Sequence, residues 1–209
     1  FRQNSDLFWL SGVDQEKSIL AVSPNHPKKE LREVLFLKKT NKHIAIWEGA
    51  KLTKDDAFKT SGIRTVYWLD QLENKLTEII DKTEVIYLNK NTHSRSTSEV
   101  QTRDDRFRIM IGEKFSNKKI NEVAPIMHSL RSIKTTHEVE LIQNACNITE
   151  KGLRRILPKI KPGIMEYEIE AELMHEFLRN RSNGFAYEPI IGSGKNSCVL
   201  HYISNNKKC

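Results

Sequence analysis

His201 is the residue whose type and setting most directly suggest chemistry. It lies in Cys198-Val199-Leu200-His201-Tyr202, just after the glycine-rich stretch Gly192-Ser193-Gly194. An imidazole titrates near neutral pH, so His201 can act as a general acid, a metal ligand or a structural hydrogen-bond donor. No partner acid stands beside it in sequence, and on chemistry alone the three roles stay open. Cys198 sits three positions earlier. A strand over Cys198 to Ile203 would point these two side chains to opposite faces, which argues against a joint zinc site. The paired Cys-x-x-Cys knuckles of structural zinc sites are missing as well.

Other constellations carry less. Glu172 and His175 have the Glu-x-x-His spacing that puts two ligands on one helical face, with Glu168 one turn earlier. Di-metal bundles need a second copy of that device, and the chain offers none, so a solvated helix face is expected. Gly192-Ser193-Gly194 fails both phosphate patterns. Ser197 stands where the dinucleotide fingerprint needs its third glycine, and Asn196 follows Lys195 where a P-loop needs Ser or Thr. No Gly-x-Ser-x-Gly elbow seats a hydrolase serine.

Composition narrows the class. The 209 residues suffice for one large domain or two small ones. Three separated cysteines, Cys146, Cys198 and Cys209, exclude a disulfide framework and favour a reducing compartment. No apolar run reaches the roughly 20 residues needed to cross a bilayer, and no membrane partner is expected. The net charge of +7 invites a nucleic-acid reading. The lysines are interleaved with acids, as in Glu73-Asn74-Lys75, so a solvated surface is expected and no nucleic-acid partner. The chain starts at Phe1 rather than Met and stops at Lys207-Lys208-Cys209, and both ends read as cut.

The elements needed to position His201 follow from pattern. Four early strands are predicted at Leu7 to Leu10, Ser18 to Val22, Val34 to Leu37 and Ile44 to Glu48, close enough for an antiparallel meander. Thr53 caps a short helix to Thr60, a strand follows at Thr65 to Trp68, and a helix at Asp70 to Lys82 keeps Leu72, Leu76, Ile79 and Ile80 on one face. After a strand at Glu84 to Leu88, the charged segment Ser96 to Phe115 holds a helical run with Val100, Phe107 and Ile111 inward. Strand-helix alternation implies parallel pairing, hence a mixed sheet covered by helices. Lys118 to Arg131 is the expected hinge: Ile120 and Val123 finish a strand, and Pro125 opens a helix with Ile126, Met127 and Leu130.

The second half begins at a capping box, Thr135 with Glu138. The stripe Val139, Ile142, Cys146, Leu153, Ile156 and Ile160 runs to Pro158 and Lys161-Pro162-Gly163, with Cys146 read as core. A second helix from Met165 to Asn180 is expected to bury Tyr167, Ala171, Met174, Phe177 and Leu178. A hairpin then pairs Ala186 to Ile191 with Cys198 to Ile203 and leaves an open sheet edge.

Four segments resemble one family in that family's order. Phe1-Arg2-Gln3-Asn4-Ser5-Asp6-Leu7-Phe8-Trp9-Leu10-Ser11-Gly12 resembles the early N-terminal segment of aminopeptidase P, the Xaa-Pro aminopeptidases of the creatinase/prolidase type. Arg131 to Glu140 resembles the junction that opens its catalytic domain. Lys161-Pro162-Gly163-Ile164-Met165-Glu166-Tyr167 resembles its Pro-Gly turn, with Met165 where many relatives carry a capping Ser or Thr. Ile190 to Tyr202 resembles its substrate-side hairpin.

The resemblance implies an α/β fold: a creatinase/prolidase-type mixed-sheet domain with helices at 1–131, then the truncated start of a pita-bread (α+β) metallopeptidase domain at 132–209. It implies a cytoplasmic homo-oligomer that releases the first residue from peptides with proline second. Two Mn²⁺ ions are expected, with ligands beyond Cys209, so the chain alone should be inactive. His201 matches the family's substrate-side histidine rather than a metal ligand, and the Tyr187 neighbourhood approaches the same cleft. Prolidase, a dipeptidase, and a catalytically dead binding member of the fold are the rival readings.

Overall fold

The computed structural model describes residues 1–90 and 99–209, and the chain divides into two compact units, 1–130 and 131–209. The start of the expected segment Ser96 to Phe115 therefore lies outside the described residues.

In order, the elements of the first unit are α1 (Ser5–Ser11), β1 (Ile19–Val22), β2 (Glu33–Leu37), α2 (Lys42–Glu48), α3 (Lys54–Ser61), β3 (Thr65–Trp68), α4 (Leu72–Ile80), β4 (Val85–Leu88), α5 (Arg103–Lys114), β5 (Lys119–Glu122) and α6 (Ala124–Ser132), the last running two residues past the boundary. β1 pairs antiparallel with β2, and β2 pairs parallel with β3, so the expected meander gives way to a mixed three-stranded sheet. β4 and β5 form a separate parallel pair.

β2 is the centre of this unit. Its apolar run Val34-Leu35-Phe36-Leu37 is fully buried, as expected of a strand covered on both faces. The pleat sends alternate side chains to two clusters. Val34 and Phe36 meet Leu31, Leu76, Ile79, Ile80, Ile111 and Phe115. Leu35 and Leu37 meet Val13, Ala57, Ile63 and Val66. The α4 face read from sequence therefore packs as predicted, and Ile111 is buried with Phe107 against the same cluster, whereas Val100 is exposed.

Two predicted strands are helices. Over Leu7 to Leu10 the structure has α1, because Asn4 Oδ1 accepts from the amides of Asp6 at 2.9 Å and Leu7 at 3.0 Å. Gly12, at φ 66°, then stops the helix with its amide on the Phe8 carbonyl. Over Ile44 to Glu48 the structure has α2, capped by Asn41 Oδ1 on the Ile44 amide at 2.8 Å. In both segments a local cap outweighs the β preference of an aromatic and β-branched run. In α6, Met127 is buried but Ile126 and Leu130 are exposed.

The second unit contains α7 (Thr136–Ile156) and α8 (Glu166–Arg179). The capping box forms: the Glu138 carboxylate accepts from the Thr135 amide at 2.8 Å, and the Thr135 hydroxyl accepts from the Glu138 amide at 3.3 Å. α7 buries only Gly152 and Ile156, so Cys146 is exposed rather than core, and Val139, Ile142, Leu153 and Ile160 are half exposed. α8 buries Glu166 and Ile169, while Tyr167, Ala171 and Leu178 are exposed, contrary to the predicted face. α7 and α8 pack against each other, and the apolar positions outside that contact stay exposed. Charge seals the contact: Arg155 donates to Glu172 at 2.6 Å and to Glu176 at 3.4 Å, and Lys159 also holds Glu172.

Gly152 sets how closely the helices approach. A Cβ there would stand 2.8 Å from Phe177 Cε1 and 3.1 Å from Leu173 Cδ2. Phe177 is in turn fixed edge-on against Phe185, with ring centroids 5.3 Å apart. Gly152→Val is therefore expected to force the helices apart and cost the second unit about 1–3 kcal/mol. Denaturant unfolding checks this, and an unchanged midpoint would show that Phe177 yields freely.

Candidate functional site

The His201 segment is built on the start of α8. After Lys161-Pro162-Gly163 the chain turns back, and an antiparallel bridge joins Met165 to Lys208. The Glu166 amide donates to the Lys207 carbonyl at 2.9 Å, the Cys209 amide to the Ile164 carbonyl at 2.8 Å, and the Gly163 amide to the Cys209 carbonyl at 2.8 Å. Glu168 returns its carboxylate to the Met165 amide at 2.8 Å. Methionine thus occupies the capping position without a side-chain oxygen, and the glutamate supplies half of the usual box.

Glu166 is wholly buried at the first turn of α8. Its Oε1 accepts from the Ser193 amide and hydroxyl, both at 2.8 Å. Its Oε2 accepts from the Tyr202 hydroxyl at 2.6 Å and the Lys207 amide at 2.9 Å. Burial pushes this carboxyl up, but the bonds from Tyr202, Lys207 and Ser193 outweigh it and bring the pKa down to about 2. The same bond, helped by burial, raises the Tyr202 phenol above its ordinary range.

Asn205 is a second buried polar hub. It sits at φ 42°, a left-handed conformation that asparagine tolerates better than most residues. Its Oδ1 accepts from the Ile191 amide at 2.9 Å, and its Nδ2 donates to the Pro189 carbonyl and to Glu170, each at 2.9 Å.

These two hubs explain why the predicted hairpin is absent. The Ile191 amide goes to the Asn205 side chain and the amides of Ser193 and Lys207, which flank the two segments, go to Glu166, and no ladder pairs Ala186 to Ile191 with Cys198 to Ile203. Residues Gly194–Cys198 form a short 3₁₀ turn instead, and the open strand edge expected from the hairpin does not arise. Gly192 lets that turn close, since a Cβ there would stand 2.9 Å from the Asn196 carbonyl group and 3.0 Å from the Ser197 amide.

His201 lies in the exposed turn after Cys198, which is exposed too, and Tyr187 is 78% exposed. Because Cys198 is in a 3₁₀ turn, the strand argument about opposite faces does not apply to it. No polar contact joins Tyr187 to His201 among the described residues. Tyr202, next to His201, is the side chain that ties this turn to Glu166. Sequence reasoning did not single out Glu166 or Asn205 as buried. A glutamate in a first helical turn reads as an exposed complement to the helix dipole, and only the Pro-Gly turn before it hinted at a special position.

Among the described residues, no group of three His, Cys, Asp or Glu side chains is placed to hold a metal ion. Glu172, from the Glu-x-x-His pair, is committed to Lys159 and Arg155, and those two cations lower its pKa. No described helix is long and apolar enough to cross a membrane.

Comparisons with known proteins bear on both units. Residues 1–87 match the family model of the aminopeptidase P N-terminal domain, and residues 140–209 match that of metallopeptidase family M24. The Xaa-Pro aminopeptidase of Escherichia coli is 26% identical over 211 residues, covering 98% of this chain and 46% of that protein. A Bacillus anthracis structure assigned as an aminopeptidase P superposes with a TM-score of 0.89 at 28% identity, over 100% of this chain and 49% of that one. The zinc-substituted E. coli aminopeptidase P in complex with product superposes with a TM-score of 0.81 at 25% identity, over 99% of this chain and 47% of that one. The chain thus spans about half the length of these relatives, and its mixed α/β architecture is that of their N-terminal halves.

Proposed function

We propose that this chain is part of a Xaa-Pro aminopeptidase of the aminopeptidase P type, within metallopeptidase family M24, which releases the first residue from peptides with proline in second position. Residues 1–131 serve as the N-terminal domain and 132–209 as the opening of the catalytic domain. The observation that carries this reading is the order of the two family matches along one chain, with His201 displayed beside the buried Glu166 cradle.

His201 acts from the substrate side. Its imidazole, exposed on a turn, hydrogen-bonds to the peptide near the scissile bond, and Tyr187 lines the same cleft. The activity depends on divalent metal, two Mn²⁺ ions, held by residues outside these 209. The enzyme is cytoplasmic and homo-oligomeric.

The test is an assay of the full-length protein. With added Mn²⁺ it should release the first residue from Xaa-Pro-containing tripeptides, and a chelator should stop it. Release from Xaa-Pro dipeptides alone would make it a prolidase. No release from either, with peptide still bound, would make it a binding member of the fold.

A further inference from the structure

We propose that Glu166 and Tyr202 are positioning residues for His201, acting through the Tyr202 phenol. This rests on the substrate-side reading of His201. Between Cys198 and Asn205 the chain has little else to hold it. Val199, Leu200, His201, Ile203 and Ser204 are all exposed, and Leu200 is 88% exposed. Tyr202 alone in that run is partly buried, and its hydroxyl donates to Glu166 at 2.6 Å. Peptide geometry leaves adjacent residues few ways to move independently, so fixing Tyr202 limits where the His201 backbone can point.

The anchor itself is rigid. Glu166 is in the first turn of a 14-residue helix and also receives the Ser193 amide and hydroxyl and the Lys207 amide. The carboxylate therefore joins the segment before His201, the segment after it and the helix below. An ionised carboxylate only accepts, so it suits a site where donors converge from every direction. Glutamine does not: its amide NH₂ would face either the Ser193 amide or the Lys207 amide, donor against donor. Neither Glu166 nor Tyr202 needs to touch substrate for this role.

A double-mutant cycle in the full-length protein tests the proposal. Tyr202→Phe keeps the ring and removes the tie to Glu166, together with the hydroxyl's lesser contacts with Asn196 and the Asn206 backbone. It should lower kcat on a Xaa-Pro tripeptide on the order of 10-fold, with KM and metal content unchanged, because small misplacements of a reacting group are costly. In a His201→Ala background the same change should lower the residual kcat less than about twofold, since nothing remains to be positioned. Equal losses in both backgrounds, or no loss in either, would overturn the proposal. If His201→Ala itself leaves kcat intact, the reading of His201 fails first and takes the proposal with it. Glu166→Gln should give the larger loss of the same kind, and if that variant does not fold, Tyr202→Phe alone decides.

Discussion

Glu166→Ala should free residues 189–209 from the start of α8. In hydrogen exchange, the amides of Ser193 and Lys207 should lose their protection, and Ile191, held through Asn205, should follow. The reason is a shortage of acceptors. Four bonds from Ser193, Tyr202 and Lys207 end on one buried carboxylate, and alanine offers no oxygen in its place. A buried donor without a partner costs its full desolvation, so these groups will seek water by opening the segment. The amides of β2 should keep their protection, which separates a local release from global unfolding. Unchanged protection at Ser193 and Lys207 would show that the backbone bonds at Glu166, Ile164 and Gly163 suffice.

The same carboxylate predicts an acid limb. Its pKa falls from the ordinary 4.5 to about 2 on folding, so its contribution is complete above 4.5 and is lost as pH falls toward 2. The melting temperature of the second unit should drop across that interval in the native protein. Glu166→Gln, having no charge to lose there, should show a flatter profile over it.

His201→Ala is the other large expected effect, and it falls on function. In the full-length protein kcat on a Xaa-Pro tripeptide should fall by roughly 10²–10⁴, the usual worth of a positioned proton-transfer or hydrogen-bonding group. Metal content, measured on the purified protein, should stay the same. The substrate-side reading supplies the reason: His201, exposed on its turn, contacts the peptide and not the metal, so its loss leaves the metal site intact. Loss of metal together with activity would assign His201 to the metal instead of the substrate.

Signals of short range were legible. Thr53 caps α3, Thr135 and Glu138 form their box, and β3 covers the predicted Thr65 to Trp68. β2 was visible as an apolar run, and the inward face of α4 as a helical repeat. Where two local preferences competed, pattern misled. The aromatic runs around Phe8 and Trp47 read as strands, yet Asn4 and Asn41 turn them into helices. The candidate site was legible only in part, because His201 announces itself by type whereas Tyr202 and Asn205 look like ordinary polar residues.

What the sequence by itself determined is therefore the central strand, the caps at Thr53 and Thr135 and the four motif segments, each of which depends on residues within a few positions of each other. Only the tertiary structure decided that Cys146 is exposed, that Ala186 to Ile203 forms no hairpin, and that Glu166 is buried. Each depends on partners that are distant in sequence: Glu166 meets Ser193, Tyr202 and Lys207 at separations of 27, 36 and 41 residues. Burial of a charge is favourable only when enough donors arrive to replace water, and no local pattern records their arrival.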